Sequence, residues 1–72
     1  MAKAEIQNRV RRLRRDHDEM TQQELADHVG CTRQTIIALE REKYVPSLAL
    51  ALRIARVFGR RVEEVFELQD PG

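Results

Sequence analysis

The stretch that decides the fold is Thr21–Glu40, TQQELADHVGCTRQTIIALE. It opens with a capping box, because the Thr21 hydroxyl can accept from the amide three residues on while the Glu24 carboxylate reaches back to the Thr21 amide. Apolar residues then recur at helical spacing until Gly30, which tolerates the positive φ at which helices end. Thr32 is a second N-cap only two residues later. The pattern predicts two short helices joined by a tight turn, the helix-turn-helix arrangement.

Further helices are predicted on both sides of this pair. Upstream, Ile6, Val10 and Leu13 fall on one helical stripe, which predicts a first helix from about Ala4 to Arg15.

Downstream, Pro46 excludes the residue before it from the α region, and Ser47 can cap a fourth helix that ends at Gly59. Its expected apolar positions are Leu48, Ala51, Leu52, Ala55, Val57 and Phe58. The apolar residues of 62–66 predict a short fifth helix. The predicted fold class is all-α, a compact five-helix bundle forming one domain over residues 1–72 with its core in 4–68.

Composition excludes several classes of protein. The chain has 72 residues and a single cysteine, Cys31, so no internal disulfide can form. Cys31, His17 and His28 lack a zinc-ligand spacing, so no metal is expected. No apolar run approaches the roughly 20 residues of a membrane span, and Met1–Glu5 lacks the apolar segment of a signal peptide. We therefore expect a cytoplasmic protein without cofactors.

The charge is unevenly distributed although the net charge is only +1. Five arginines crowd the first predicted helix: Arg9, Arg11, Arg12, Arg14 and Arg15. Such a cluster is either a solvated helix face or a local positive surface that can bind phosphate. The sequence leaves both interpretations open.

The segment Met20–Gly59 resembles the Cro/C1-type helix-turn-helix regulators, also called the Xre family, and is most similar to their short stand-alone members. The resemblance is carried, in order, by the Thr-Gln-x-x-Leu-Ala start, the glycine, the Thr-Arg-Gln-Thr-Ile run, the Leu-Glu pair and the Tyr-x-Pro-Ser-Leu segment. It implies a lambda-repressor-like fold of five helices, with helices 2 and 3 reading double-stranded DNA.

Two positions depart from the family pattern. Glu42 stands where the family usually has glycine, and a glutamate in the left-handed conformation there would cost about 1 kcal/mol. The loop Asp16–Glu19 is one residue longer than usual.

Helix 3, about Arg33 to Arg41, is the predicted recognition helix. Arg33 can bind guanine O6 and N7, and Gln34 can bind adenine N6 and N7, each through two hydrogen bonds. Ile37 and Ala38 can contact a thymine methyl group. The predicted base-contacting residues are therefore Arg33, Gln34, Ile37 and Ala38. Alternatively, Arg33 and Gln34 are ordinary solvated residues, and an exposed Ile37 marks a protein-binding surface.

Phosphate contacts are expected at both ends of the motif. Gln22 opens helix 2, where free amides and the helix dipole favour an anion, and the resemblance implies a phosphate contact there. The resemblance implies further phosphate contacts at the other end of the motif, and the predicted residues are Thr32, Thr35, Arg41, Lys43, Tyr44 and Arg14. Packing over helix 4 is the alternative role for Tyr44. The resemblance also implies a structural ion pair between Glu40 and Arg14, with Arg15 as the alternative partner.

A homodimer is expected because one recognition helix reads only a few base pairs, whereas paired half-sites lie about 34 Å apart. The predicted dimer interface uses apolar residues that the monomer is not expected to bury: Val57, Val62, Val65, Phe66 and Leu68.

Two functions remain after these steps. The first is a sequence-specific DNA-binding regulator, a repressor that occupies an inverted-repeat operator. The second is an antitoxin or adaptor in which the same fold docks a protein. No nucleophile–base pair, glycine-rich phosphate loop or metal cluster is apparent, so an enzyme is not expected. No membrane is expected as a partner, because no apolar run is long enough to span one. No small-molecule ligand is expected either, since the chain has no room for a separate ligand-binding domain.

Overall fold

The structure, a computed structural model, describes residues 5–69. In chain order, this part of the chain forms β1 (Ile6–Asn8), α1 (Val10–Asp16), α2 (Gln22–Val29), α3 (Arg33–Glu40), α4 (Leu48–Val57), α5 (Val62–Val65) and β2 (Phe66–Leu68). Across these elements no helix is long and apolar enough to cross a membrane.

The three middle helices begin where their predicted caps lie. Thr21 forms the capping box, with its hydroxyl 3.0 Å from the Glu24 amide and its own amide 2.8 Å from the Glu24 carboxylate. The hydroxyls of Thr32 and Ser47 accept from amides three residues on, at 3.2 and 3.1 Å. Gly30 ends α2 at φ 77°. Local hydrogen bonding therefore fixes the start of α2, the turn that follows it and the start of α3.

The all-α prediction is wrong at the chain ends, where the strands β1 and β2 form a small antiparallel sheet. Ile6 lies opposite Leu68, and Asn8 lies opposite Phe66. The first helix begins at Val10, because the Asn8 side chain accepts from the Val10 amide at 3.1 Å and Ile6–Asn8 pairs with β2. Its predicted start at Ala4 lies outside the described residues. Phe66, expected in the fifth helix, is the first residue of β2.

The core lies where α1, α2, α3, α4 and α5 meet. Its fully buried members come from all five helices: Val10, Leu25, Ala26, Ile36, Ile54 and Val65. Burial of each large aliphatic side chain contributes about 1.5–3 kcal/mol. This shared core holds α2 and α3 at a fixed angle and leaves the opposite face of α3 open to solvent.

The predicted buried face of α4 is partly wrong. Leu48 and Leu52 are 72% and 50% exposed, while Leu50 and Ile54 lie in the core together with Ala51, Ala55 and Phe58. The sequence LALALRIARV is apolar around most of the helix, so periodicity alone cannot select one face. Packing against α2 and α5 selects the face that contains Ile54.

Candidate nucleic-acid interface

The outward face of α3 carries two free polar side chains. Ile36 and Leu39 pack into the core, at 0% and 1% exposure, which turns Arg33 and Gln34 in the first turn towards solvent. Within residues 5–69 neither side chain is tied down by an intramolecular hydrogen bond. Both residues are therefore free to contact a ligand at the start of the helix.

Ile37 and Ala38, the other two predicted base-contacting residues, are half-buried rather than exposed. The expectation of a solvent-facing isoleucine is therefore wrong. Ile37 lies on the wall of a groove that also contains Arg33, so its side chain contributes an apolar surface beside a charged one.

A partly buried polar cluster, the Glu40 hub, joins three helices through Arg14, Gln22 and Glu40. Arg14 Nε and Nη2 donate to Glu40 Oε2 and Oε1 at 2.7 and 3.0 Å. Gln22 Nε2 donates to Glu40 Oε1 at 3.1 Å, and Arg14 Nη1 donates to the Met20 carbonyl at 2.7 Å. The side chains of Arg14 and Glu40 are only 12% and 6% exposed.

The hub resolves the choice between the two candidate arginines, because Arg14 and not Arg15 pairs with Glu40. All three nitrogens of the Arg14 guanidinium donate within the protein, and its charge is neutralised there. These contacts give Arg14 a structural role, and the phosphate contact predicted for it stays a prediction. The hub fixes the start of α2 relative to the end of α3. These two segments flank the outward face of α3.

A groove of about 1040 Å³ runs between α1, the start of α2 and α3. We call it the basic groove, and its walls are formed by Arg11, Arg14, Arg15, Glu19, Met20, Thr21, Gln22, Gln23, Arg33, Ile37, Glu40 and Arg41. Because Arg14 and Glu40 neutralise each other, four arginines face one exposed carboxylate, that of Glu19. The groove is therefore positively charged although the whole chain carries a net charge of only +1.

The remaining predicted phosphate-contacting residues lie at the turn between α2 and α3 and beyond the end of α3. At the turn, the hydroxyls of Thr32 and Thr35 are 3.0 Å apart. Beyond α3, Lys43 and Tyr44 are exposed in the loop before α4, and Tyr44 is 40% accessible.

Glu42 adopts the left-handed conformation, with φ 60°, so the strain anticipated from the sequence is present. Its carboxylate accepts from the Asn8 amide at 3.3 Å and from Gln69 Nε2 at 3.4 Å. The Asn8 side chain also donates to the Leu39 carbonyl at 2.8 Å, at the last turn of α3. These contacts of Asn8, Glu42 and Gln69, here called the Glu42 clasp, attach the end of α3 to the small sheet.

Sequence reasoning missed the clasp, although its signal was a glutamate at a position where the family has glycine. Replacing Glu42 with alanine should lower the free energy of unfolding by about 1–2 kcal/mol, because the left-handed strain stays while two hydrogen bonds are lost. Replacing it with glycine should leave stability within about 1 kcal/mol of the parent, because relief of the strain offsets the lost bonds. Urea unfolding of both variants tests this, and an alanine variant as stable as the parent would show that the clasp contributes nothing.

The single cysteine is partly buried, and one of the two histidines packs against an aromatic ring. Burial raises the pKa of the Cys31 thiol, which disfavours the reactive thiolate. The His17 ring packs edge-to-face on Phe58, with ring centres 5.8 Å apart. From residue 5 to residue 69 no group of three or more His, Cys, Asp or Glu side chains is disposed to hold a metal ion.

The two helices with their tight turn, the exposed start of α3 and the polar hub behind it define a helix-turn-helix domain. The Helix-turn-helix family model matches residues 10–65. The chain belongs to this family, in its Cro/C1-type form.

Two relatives come from distant organisms and match nearly their whole length. The chain is 54% identical over 67 residues to an uncharacterized HTH-type transcriptional regulator of Methanothermobacter thermautotrophicus, covering 88% of this chain and 97% of that protein. It is 43% identical over 65 residues to the uncharacterized HTH-type transcriptional regulator YgzD of Bacillus subtilis, covering 90% and 97% of the two chains.

Solved structures share the fold at low sequence identity. A putative DNA-binding protein from Bacteroides fragilis aligns with a TM-score of 0.73 and 21% identity, covering 86% of this chain and 98% of that one. The P22 c2 repressor, solved in complex with a synthetic operator, aligns with a TM-score of 0.67 and 22% identity, covering 79% and 89%. At these identities the likeness concerns the fold alone.

Proposed function

We propose that this protein is a sequence-specific transcriptional regulator, a repressor, that binds duplex DNA as a homodimer and reads the major groove with α3. The observation that carries the proposal is the pair of free side chains, Arg33 and Gln34, at the exposed start of a helix anchored by the Glu40 hub. Membership of the helix-turn-helix family supports it. So does the shared fold of the P22 c2 repressor, which was solved bound to operator DNA.

Base readout follows from the chemistry of the α3 side chains. The Arg33 guanidinium matches the two acceptors of guanine, and the Gln34 amide matches the acceptor and donor of adenine. Each such pair contributes roughly 1–3 kcal/mol of discrimination against other bases. Ile37 and Ala38, half-buried beside them, fit the methyl group of thymine.

Backbone contacts are proposed at the two ends of the motif. The backbone amide of Gln22 lies at the start of α2, and Arg41, Lys43 and Tyr44 follow the end of α3. Thr32 and Thr35 supply hydroxyls at the turn. Such contacts set the affinity and its salt dependence, whereas base contacts set the sequence preference. Arg14 acts indirectly, by holding Glu40 and therefore Gln22.

The proposed dimer interface needs revision for two of its five residues. Val65 and Phe66 are buried in the monomer, at 0% and 9% exposure, so the premise that the monomer leaves them uncovered is wrong. Val57 and Val62 are partly buried against the core, and Leu68 is 71% exposed. We retain these three residues as the proposed contact between copies.

The dimer proposal predicts that Leu68→Glu shifts the protein towards monomer in sedimentation equilibrium and lowers operator affinity at least tenfold, because a carboxylate would be buried without a partner. Leu48→Glu is the matched control, since Leu48 is equally exposed at 72% but lies on α4. Dissociation by Leu48→Glu alone would move the interface to α4. A dimer unaffected by both changes would contradict the proposed contact.

An antitoxin or adaptor function is the other candidate, and the exposed Leu48 and Leu52 on α4 favour it, because uncovered apolar side chains can dock a protein. DNA binding separates the two functions. A labelled duplex carrying a selected operator should bind the regulator with a base preference that depends on Gln34, whereas the adaptor function predicts only weak, salt-sensitive binding.

A further inference from the structure

The outer face of α1 carries two arginines one helical turn apart, Arg11 and Arg15, both exposed. Both line the basic groove on one side. Both also line a second concave surface of about 750 Å³, whose other lining residues include Arg9, Arg12 and Asp16. The pair therefore forms a ridge between two arginine-lined surfaces, adjacent to the start of α2 and to α3.

Neither arginine of this ridge forms an ion pair within the described part of the chain. The two ion pairs found there join Arg9 to Glu67 and Arg14 to Glu40, and neither includes Arg11 or Arg15. Like charges at i and i+4 on a helix destabilise it, so the pair does not serve folding. Unpaired guanidinium groups on a concave surface instead favour an anionic ligand.

We propose that Arg11 and Arg15 form a phosphate-binding subsite for the DNA backbone, outside the helix-turn-helix unit. This inference rests on the proposed function and extends its footprint along one strand. Thr21 and Gln22, at the start of α2, share the basic groove with the ridge. A strand whose phosphate lies at the start of α2 continues along the groove towards α1.

The geometry of the ridge suits successive phosphodiesters. Residues at i and i+4 have Cβ atoms roughly 5–6 Å apart, so two long arginine side chains can reach neighbouring phosphates of one strand. The planar guanidinium binds a phosphate through two parallel hydrogen bonds and keeps its charge at any working pH. The ridge therefore adds affinity without adding base preference.

The test compares the parent protein with the double variant Arg11→Ala/Arg15→Ala on a duplex selected by the parent. Fluorescence anisotropy gives the dissociation constant at salt concentrations from roughly 50 to 300 mM, because the affinity that phosphate contacts supply falls steeply as salt rises. Loss of two phosphate contacts should reduce the slope of log affinity against log salt by about 1.8. The ranking of mutated operators should stay unchanged, and Arg11→Lys/Arg15→Lys should restore most of the slope.

The control is Arg53→Ala/Arg56→Ala, which removes the same charge from exposed positions on α4 that line neither concave surface. It should leave the slope within about 0.3 of the parent value, as expected without lost phosphate contacts. An α1 variant that keeps the parent slope while the parent binds its operator would overturn the subsite alone. A parent protein that shows no sequence-selective binding would overturn the proposed function together with the subsite.

Discussion

Replacing Glu40 with alanine is expected to lower the free energy of unfolding by about 3 kcal/mol and to weaken operator binding at least a hundredfold. The change removes the carboxylate that accepts from both Arg14 and Gln22. It leaves the Arg14 guanidinium, only 12% exposed, as a charge without its partner, and removing one partner of an ion pair that is largely shielded from water is strongly destabilising. Binding falls because the start of α2 and the end of α3 lose their common anchor.

Urea unfolding and anisotropy on the operator duplex measure the two effects together. Glu40→Gln keeps an acceptor but not the charge, so we expect intermediate losses in both. Glu63→Ala is the matched control, because Glu63 is an exposed carboxylate of α5 that lines neither the basic groove nor the second concave surface and no hydrogen bond to it from another described side chain is present. Parent-like stability and affinity in Glu40→Ala would overturn the role assigned to the hub.

The combined Arg33→Ala/Gln34→Ala change should produce the largest loss of function with almost no loss of stability. Each side chain is exposed in the first turn of α3, where alanine is well tolerated. Removing both base contacts should weaken operator binding by about 2–6 kcal/mol, if each contributes roughly 1–3 kcal/mol. Binding to unrelated duplex should change far less, because Gln22, Lys43 and the other proposed phosphate-contacting residues remain.

The measurement is a ratio of two affinities, for the operator and for a scrambled duplex of equal length. Gln7→Ala, which alters an exposed glutamine of β1 away from the basic groove, serves as the control and should keep the parent ratio. A double variant that retains the parent ratio would contradict base readout by α3.

Much of the fold could be predicted because its signals are local. Thr21, Gly30, Thr32 and Ser47 define helix ends through hydrogen bonds that span three or four residues. The small sheet could not be predicted in this way. Its strands have three residues each and lie about sixty positions apart in the chain, so neither carries an alternating pattern long enough to detect.

The same contrast between local signals and tertiary contacts applies to the residues of the candidate interface. Arg33 and Gln34 follow from a cap and a helical turn, and the pairing of Glu40 with Arg14 follows from the family resemblance. The Glu42 clasp and the Arg11–Arg15 ridge depend on tertiary contacts between α1, the end of α3 and the sheet. Only the fold shows that Arg11 and Arg15 line two concave surfaces.

Selection of bound fragments from random-sequence duplex DNA, with the parent protein and the Arg33→Ala/Gln34→Ala variant side by side, tests the central claim most directly. The proposed function predicts that the parent enriches an inverted repeat, with half-sites centred about 34 Å apart, and that the variant loses this enrichment. A parent protein that enriches no sequence, or a variant that enriches the same repeat, would contradict the claim that α3 reads DNA.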